Sequence, residues 1–292
     1  MKIIKDISSL QENLKLYKDR MYTVGFIPTM GSLHKGHLSL IEQSIQENNR
    51  TICSIYINPT QFNNNSDLQK YPKNHIEDLD ILQKTGCDVV FLPSNHEMYG
   101  NAMRRDNYKI GGVLSVLEGE KRPGHFSGVL TIVNKLFKLI QPNIAYFGEK
   151  DFQQLWIIRQ NTINQEMAIE IKSCKTIRNA YGLALSSRNQ HLSITEELAA
   201  RNIFKSLTFF KKSISSYFLD EKKSTLDEIL YEKIKTESLL FINQNRLIKL
   251  DYFDVIEIEN FSFVKNLTKE KNYRVLVAVY VGNTRLIDNI LI

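Results

Sequence analysis

A chain of 292 residues with 42% hydrophobic and 24% charged residues is long enough for one large or two ordinary globular domains, and this balance excludes a disordered chain. The longest unbroken apolar run, Val275 to Val281, falls far short of the roughly 20 residues a membrane helix needs, so no span is expected. The net charge of +6 is dispersed through polar runs such as Glu221-Lys222-Lys223 and Lys269-Glu270-Lys271, with no basic stripe interleaved with aromatics, which argues against a nucleic-acid binder.

From the amino terminus, Met1-Lys2-Ile3-Ile4-Lys5-Asp6 lacks the apolar core of a secretory signal, and a cytoplasmic location is the expectation. Thr23-Val24-Gly25-Phe26-Ile27 reads as a short buried strand that Pro28 stops, and Leu38, Ile41 and Ile45 then recur at helical spacing. Between strand and helix lies Pro28-Thr29-Met30-Gly31-Ser32-Leu33-His34-Lys35-Gly36-His37. A helix N-terminus offers unpaired N–H groups to an anion, and residues i and i+3 share a face, so His34 and His37 can point at one ligand. Gly31 and Gly36 leave room for close approach. Zinc is not expected, because no cysteine or carboxylate pair adjoins the histidines.

Further strands are expected at Thr51 to Ile57, Asp88 to Leu92, Asn143 to Phe147 and Ile169 to Cys174, with helices at Ile76 to Lys84 and Val129 to Leu139. Asn63-Asn64-Asn65 reads as an exposed loop. Cys53, Cys87 and Cys174 are widely spaced in or beside apolar segments and read as buried, reduced thiols. Beyond Leu192 the pattern changes to two long helices, Thr195 to Tyr217 and Thr225 to Asn245, then strands at Leu250 to Ile258, Arg274 to Val281 and Arg285 to Ile292, the last two joined by a hairpin turn at Gly282-Asn283-Thr284. The alternation in the first part implies an α/β, Rossmann-like doubly wound parallel sheet, and the second part a smaller α+β domain, with the boundary between residues 175 and 192.

Three polar clusters follow strands: residues 28–37, Asn58-Pro59-Thr60-Gln61-Phe62, and Gly148-Glu149-Lys150-Asp151-Phe152-Gln153-Gln154. In an open parallel sheet the carboxyl ends of strands line one crevice, so these clusters are expected to converge. A fourth cluster, Leu185-Ser186-Ser187-Arg188, lies at the domain boundary.

Together with Arg122-Pro123-x-His125-Phe126-x-Gly128-Val129 and Gly182-Leu183-Ala184-x-Ser186-Ser187-Arg188-Asn189, these segments closely resemble the pantothenate synthetase (pantoate–β-alanine ligase) family over nearly the whole chain. The His34-x-Gly36-His37 core alone is shared with a wider nucleotidyltransferase superfamily. The resemblance implies ATP-dependent condensation of pantoate with β-alanine through a pantoyl adenylate, releasing pyrophosphate and AMP. It implies a first domain, 1–176, that binds nucleotide and pantoate, and a second, 177–292, that closes over ATP. It further implies that His37, His34 and Lys150 are catalytic. ATP would be bordered by Met30, Gly31, Ser32, Leu33, His34, Lys35, Gly36, His37, Gly148, Glu149, Lys150, Asp151, Ile177, Leu185, Ser186, Ser187 and Arg188. Gln61 and Gln154 would bind pantoate, Gln61 also β-alanine, and Mg2+ would ride on the ATP phosphates without a protein metal site. The family forms homodimers. Charge neutralisation of the triphosphate would come from His34, His37, Lys150, Arg188 and magnesium. Two positions depart from the family pattern: Asn179 and Tyr181 stand where acidic residues are usual, so the loop carrying Ser186 to Arg188 is expected to be held differently. The rival reading is another adenylyl-transferring enzyme of this superfamily acting on a different small acceptor.

Overall fold

The structure, a computed structural model, describes residues 1–63, 68–69 and 71–292. Of the expected loop at Asn63-Asn64-Asn65, Asn63 is exposed and the other two lie outside the described residues. The chain divides into two compact units, Met1–Lys175 and Thr176–Ile292.

In the first unit the elements run β1 (Lys2–Ile4), α1 (Ile7–Asp19), β2 (Val24–Thr29), α2 (Lys35–Glu47), β3 (Arg50–Ile55), α3 (His75–Thr85) and β4 (Val89–Phe91). They continue with α4 (Asn95–Tyr99), α5 (Glu118–Lys121), α6 (His125–Ile140), β5 (Ile144–Gly148), α7 (Phe152–Asn164) and β6 (Glu170–Cys174). The six strands form one parallel sheet in the order β1-β4-β3-β2-β5-β6. The direction of winding reverses between β2 and β5, which opens the ligand crevice of such sheets at their carboxyl ends.

Helices cover both faces, so the central strands are apolar on both sides and read as unbroken hydrophobic runs. Successive side chains show it: Ile27 packs with Ile41, Cys53, Leu82, Val90 and Tyr146 under α2 and α3, whereas Phe26 meets Phe137 of α6 edge to face at 6.4 Å. Truncating the fully buried Phe137 to alanine should cost about 3–5 kcal/mol. The three cysteines are buried free thiols.

Pro28 does not end β2; it pairs with Ser54 one residue before the strand stops. The Thr23 and Thr29 carbonyls accept N–H groups of Arg50 and Tyr56 on the β3 side, and the Val24 carbonyl accepts the Asn143 N–H at the start of β5, so even-numbered residues face β5. The β2–β5 ladder ends at Phe26–Ala145, so the proline nitrogen lies beyond it, on the side where no ladder bond is required. The helix expected from the spacing of Leu38, Ile41 and Ile45 is α2, whose buried residues are Leu40, Ile41 and Ser44, with Ile45 exposed at the helix flank.

The second unit contains α8 (Ile194–Phe218), β7 (Thr225–Leu226), α9 (Glu228–Asn243), β8 (Ile248–Glu257), β9 (Ser262–Phe263), β10 (Leu267–Thr268), β11 (Tyr273–Val281) and β12 (Thr284–Leu291). An antiparallel sheet β12-β11-β8-β9 carries the core Val275, Val277, Val279 and Val281 against Ile203, Leu207 and Phe210 of α8. Val281 pairs with Thr284 across the two-residue turn Gly282-Asn283. The helix expected from Thr225 starts later: Thr225 and Leu226 pair with β10, and Asp227 caps α9 by accepting the Leu230 N–H.

Candidate active site

Three loops leave the carboxyl ends of β2, β3 and β5. The first is curled by two successive left-handed residues, Gly31 (φ +81) and Ser32 (φ +53). A serine adopts this region only when its surroundings enforce it. Asp78 of α3 supplies the constraint, its carboxylate accepting the N–H groups of Ser32 (2.9 Å) and Leu33 (2.7 Å).

His34 is the N-cap of α2 rather than a residue of its first turn. Its Nδ1 accepts the Gly36 N–H at 3.1 Å, while the His37 Nδ1 accepts the His34 N–H at 3.3 Å. The two imidazoles thus replace the hydroxyl and carboxylate of an ordinary capping box, with ring centroids 4.2 Å apart. A Cβ at 36 would stand 2.8 Å from the His34 ring, so glycine there leaves the ring its place in the cap. A backbone N–H only donates, so both Nδ1 atoms are unprotonated and both rings carry their hydrogen on Nε2.

Electrostatics agree with that tautomer. Burial, then the neighbouring His34, pushes the His37 pKa from 6.5 down to about 3, and burial followed by the Lys150 ammonium lowers that of His34. In the free protein the cap geometry and the lowered pKa values together favour neutral rings as Nε2–H donors, with Lys150 as the cation beside them. Lys150 lies just after β5 with its Nζ 3.7 Å from Asp151, and both act electrostatically on the two histidines, so the first and third loops converge.

The second loop converges with the first through Gln61, whose Nε2 lies 3.0 Å from the Met30 Sδ. Its orientation is dictated from below by Asn58. The Asn58 Oδ1 accepts from the Thr60 N–H and the Tyr99 hydroxyl, and its Nδ2 donates to the Gly128 carbonyl (3.0 Å) and to Gln61 Oε1 (3.2 Å). Turning either amide over would set donor against donor, so Gln61 presents its NH2 end on the Met30 side. Gly128 allows this contact, since a Cβ there would stand 2.3 Å from the Thr60 carbonyl.

Gln153 and Gln154 separate cleanly. Gln153 is buried, accepts the Glu118 N–H and donates to the Val113 and Val116 carbonyls. Gln154 is half-buried and makes no side-chain hydrogen bond among the described residues. Lys35 is exposed, and Gly148 and Glu149 are half-buried beside Lys150.

In the second unit, Ile177 O accepts the Leu185 N–H (2.9 Å), and Ser186 caps a 3₁₀ turn over Ser187–His191 by accepting the Arg188 N–H. The departures at 179 and 181 have a structural account. The Asn179 Oδ1 accepts from Tyr181 N and Leu183 N, and Tyr181 lies under the Arg201 guanidinium at 3.3 Å. Arg178 anchors the hairpin through a two-bond pair with Asp288 (2.6 and 2.9 Å).

Sequence reasoning did not single out Asp78, Tyr99 or Arg105. Asp78 had no signal, since a carboxylate near a helix start reads as favourable charge on the dipole. Among the described residues no cluster of three metal-ligating side chains exists, and no helix is long and apolar enough to cross a membrane. A cavity of about 510 Å³ exists in the first unit, but it is lined by Lys2, Asn13, Arg20, Arg50 and Asp88 at the opposite, amino ends of the strands.

Residues 2–291 match the family model of pantoate-beta-alanine ligase. The pantothenate synthetase of Cytophaga hutchinsonii is 39% identical over 291 residues, covering 99% of this chain and 98% of that protein. That of Aquifex aeolicus is 42% identical over 288 residues, covering 98% and 97%. Among solved structures, pantothenate synthetase from Thermus thermophilus superposes with a TM-score of 0.87 at 33% identity over 99% of both chains. The pantoate-beta-alanine ligase of Francisella tularensis, complexed with beta-gamma ATP and beta-alanine, gives 0.76 at 35% identity over 100% of this chain and 97% of that one.

Proposed function

The chain belongs to the pantoate–β-alanine ligase family and joins pantoate to β-alanine at the expense of ATP, and we propose that it does so through a pantoyl adenylate made in the loops after β2, β3 and β5. The pantoate carboxylate attacks the α-phosphorus and pyrophosphate leaves. The β-alanine amine then attacks the acyl carbon and AMP leaves.

The observation that carries this assignment is the reciprocal histidine cap. It fixes two Nε2–H donors side by side at the N-terminus of α2, where helix N–H groups already favour an anion. His34 and His37 would donate to phosphoryl oxygens as charge shifts onto the leaving pyrophosphate, and the Lys150 ammonium would offset that charge. Preorganised neutral donors need no proton transfer to act. Met30 to His37 and Gly148 to Asp151 would border the nucleotide. Mg2+ would accompany the ATP phosphates and offset part of their charge beside Lys150.

Gln61 and Gln154 would bind pantoate, and Gln61 also β-alanine. The polarity imposed by Asn58 supports Gln61 as a donor to a substrate oxygen. A neutral amide orients a carboxylate without pairing its charge, so the nucleophile is not held in a stabilised ground state. Ser186, Ser187 and Arg188 would contact ATP phosphates. Ile177 and Leu185 would meet adenine through backbone groups other than the N–H and carbonyl they share. Closure of 177–292 over ATP, a homodimer and a cytoplasmic location complete the reading on the family resemblance; sedimentation tests the dimer.

The decisive experiment is exchange of labelled pyrophosphate into ATP with pantoate present and β-alanine absent. Exchange that depends on pantoate supports the adenylate; condensation without any exchange overturns it.

A further inference from the structure

Three successive carbonyls of the turn that carries Gln61 are held by basic side chains. The Arg105 Nε donates to Thr60 O (2.5 Å) and its Nη2 to Phe62 O (3.2 Å), while His125 Nδ1 lies 2.8 Å from Gln61 O. A carbonyl only accepts, so His125 carries its hydrogen on Nδ1, and its Nε2 faces Arg122 Nη1 at 3.1 Å as the acceptor. The guanidinium of Arg105 passes so close to the chain that a Cβ on Gly124 would stand 2.2 Å from its Nη1. Arg105 itself comes from a stretch with no helix or strand between Gly100 and Ile110. That stretch is tied down at the next residue, where Asp106 N donates to Thr131 Oγ1 of α6 (2.9 Å).

No step of the proposed reaction requires a guanidinium at this place, and the grip on both neighbours of one residue is more than loop closure demands. A single cation spans the carbonyls on either side of Gln61, and charge-assisted bonds from a planar fork fix position as well as strength. We propose that Arg105 is a positioning residue of the acid pocket, fixing where the Gln61 amide emerges and so setting affinity for the small hydroxy acid without touching it. The inference rests on Gln61 as the pantoate-binding glutamine.

Pantoate-dependent pyrophosphate exchange tests it in Arg105→Met, Arg105→Lys, Gln61→Ala and the double variant Gln61→Ala with Arg105→Met. Displacing a binding group by about 1 Å can cost up to a hundredfold. Arg105→Met should therefore raise the KM for pantoate about five- to fiftyfold while the KM for ATP stays within about twofold. Arg105→Lys, which reaches one carbonyl at a time, should fall between the native protein and the methionine variant, and it carries the same readout if the methionine variant does not fold. In the Gln61→Ala background Arg105→Met should change the pantoate KM by less than about twofold, because its effect runs through the missing amide. Equal rises in both KM values, or a full additional rise in the double variant, overturn the positioning role while leaving Gln61 in place. An unchanged pantoate KM in Gln61→Ala overturns the assignment of Gln61, and this inference with it.

Discussion

The two ends of the parallel sheet differ in what their polar groups have left to offer. At the amino ends there is an obvious cavity, yet its cations are engaged locally: Lys2 donates to Asn13 Oδ1, and Arg50 pairs with Asp88 while lying over the Tyr17 and Tyr22 rings. The helices α1 and α3 end there, so these cations also face the negative ends of two helix dipoles. At the carboxyl ends the polar groups are equally cross-linked, but among the described residues the bonding scheme leaves over two imidazole Nε2–H groups, the Gln154 amide and the second hydrogen of the Gln61 NH2, whose first is directed at Met30 Sδ. Empty volume marks the first end. Directed donor capacity marks the second, the end to which the proposed reaction is assigned.

The largest test of that contrast is His37→Ala, which should lower pantoate-dependent pyrophosphate exchange about a hundred- to thousandfold, the usual loss for one preorganised donor. A tenfold or smaller loss would put the histidine on the same footing as the amino-end cations. Asp78→Asn should come next. It keeps one acceptor but opposes the other N–H with a donor, so exchange should fall at least tenfold and stability by about 1–3 kcal/mol in urea titration.

The pH dependence of stability sharpens the contrast further. The folded-state pKa of His37 is depressed below 6.5, so the unfolded chain takes up the proton first as pH falls. The stabilisation due to the neutral ring is complete above about pH 6.5 and is lost progressively on acidification towards about 3. Thermal melts from pH 8 to 4 should show the native protein losing Tm below about pH 6.5 relative to His37→Gln, which has no ring to protonate; parallel curves would contradict the depressed pKa. The smallest effect should come from Arg50→Ala. It should leave exchange within about twofold of native and cost about 1 kcal/mol, as befits a half-exposed pair with cation–π support. A large catalytic loss there would erase the distinction between the two ends.

The doubly wound sheet was legible because β2, β3, β4 and β5 are buried on both faces and so spell continuous apolar runs. The edge strand β1, with Ile3 exposed, and the polar-rich α1 carry no such pattern and went unread. The glutamines and histidines were legible as loop clusters after strands, and the family resemblance gave them roles. What no pattern could reveal were partners distant in sequence: Asp78 meets a loop 46 residues earlier, and Arg105 a carbonyl 45 residues earlier. Nor could spacing show that His34 caps rather than joins its helix, because the i, i+3 separation is common to both arrangements.

That cap has a practical corollary for genetics. Each ring accepts a main-chain hydrogen at the beginning of α2, and one of those hydrogens belongs to the other histidine's own residue. Deleting the imidazole at 37 unfastens residue 34 as well. The two single substitutions are therefore expected to overlap in effect, and exchanges that keep the δ-position acceptor, such as His37→Asn, separate a ring's Nε2–H from its role in the cap.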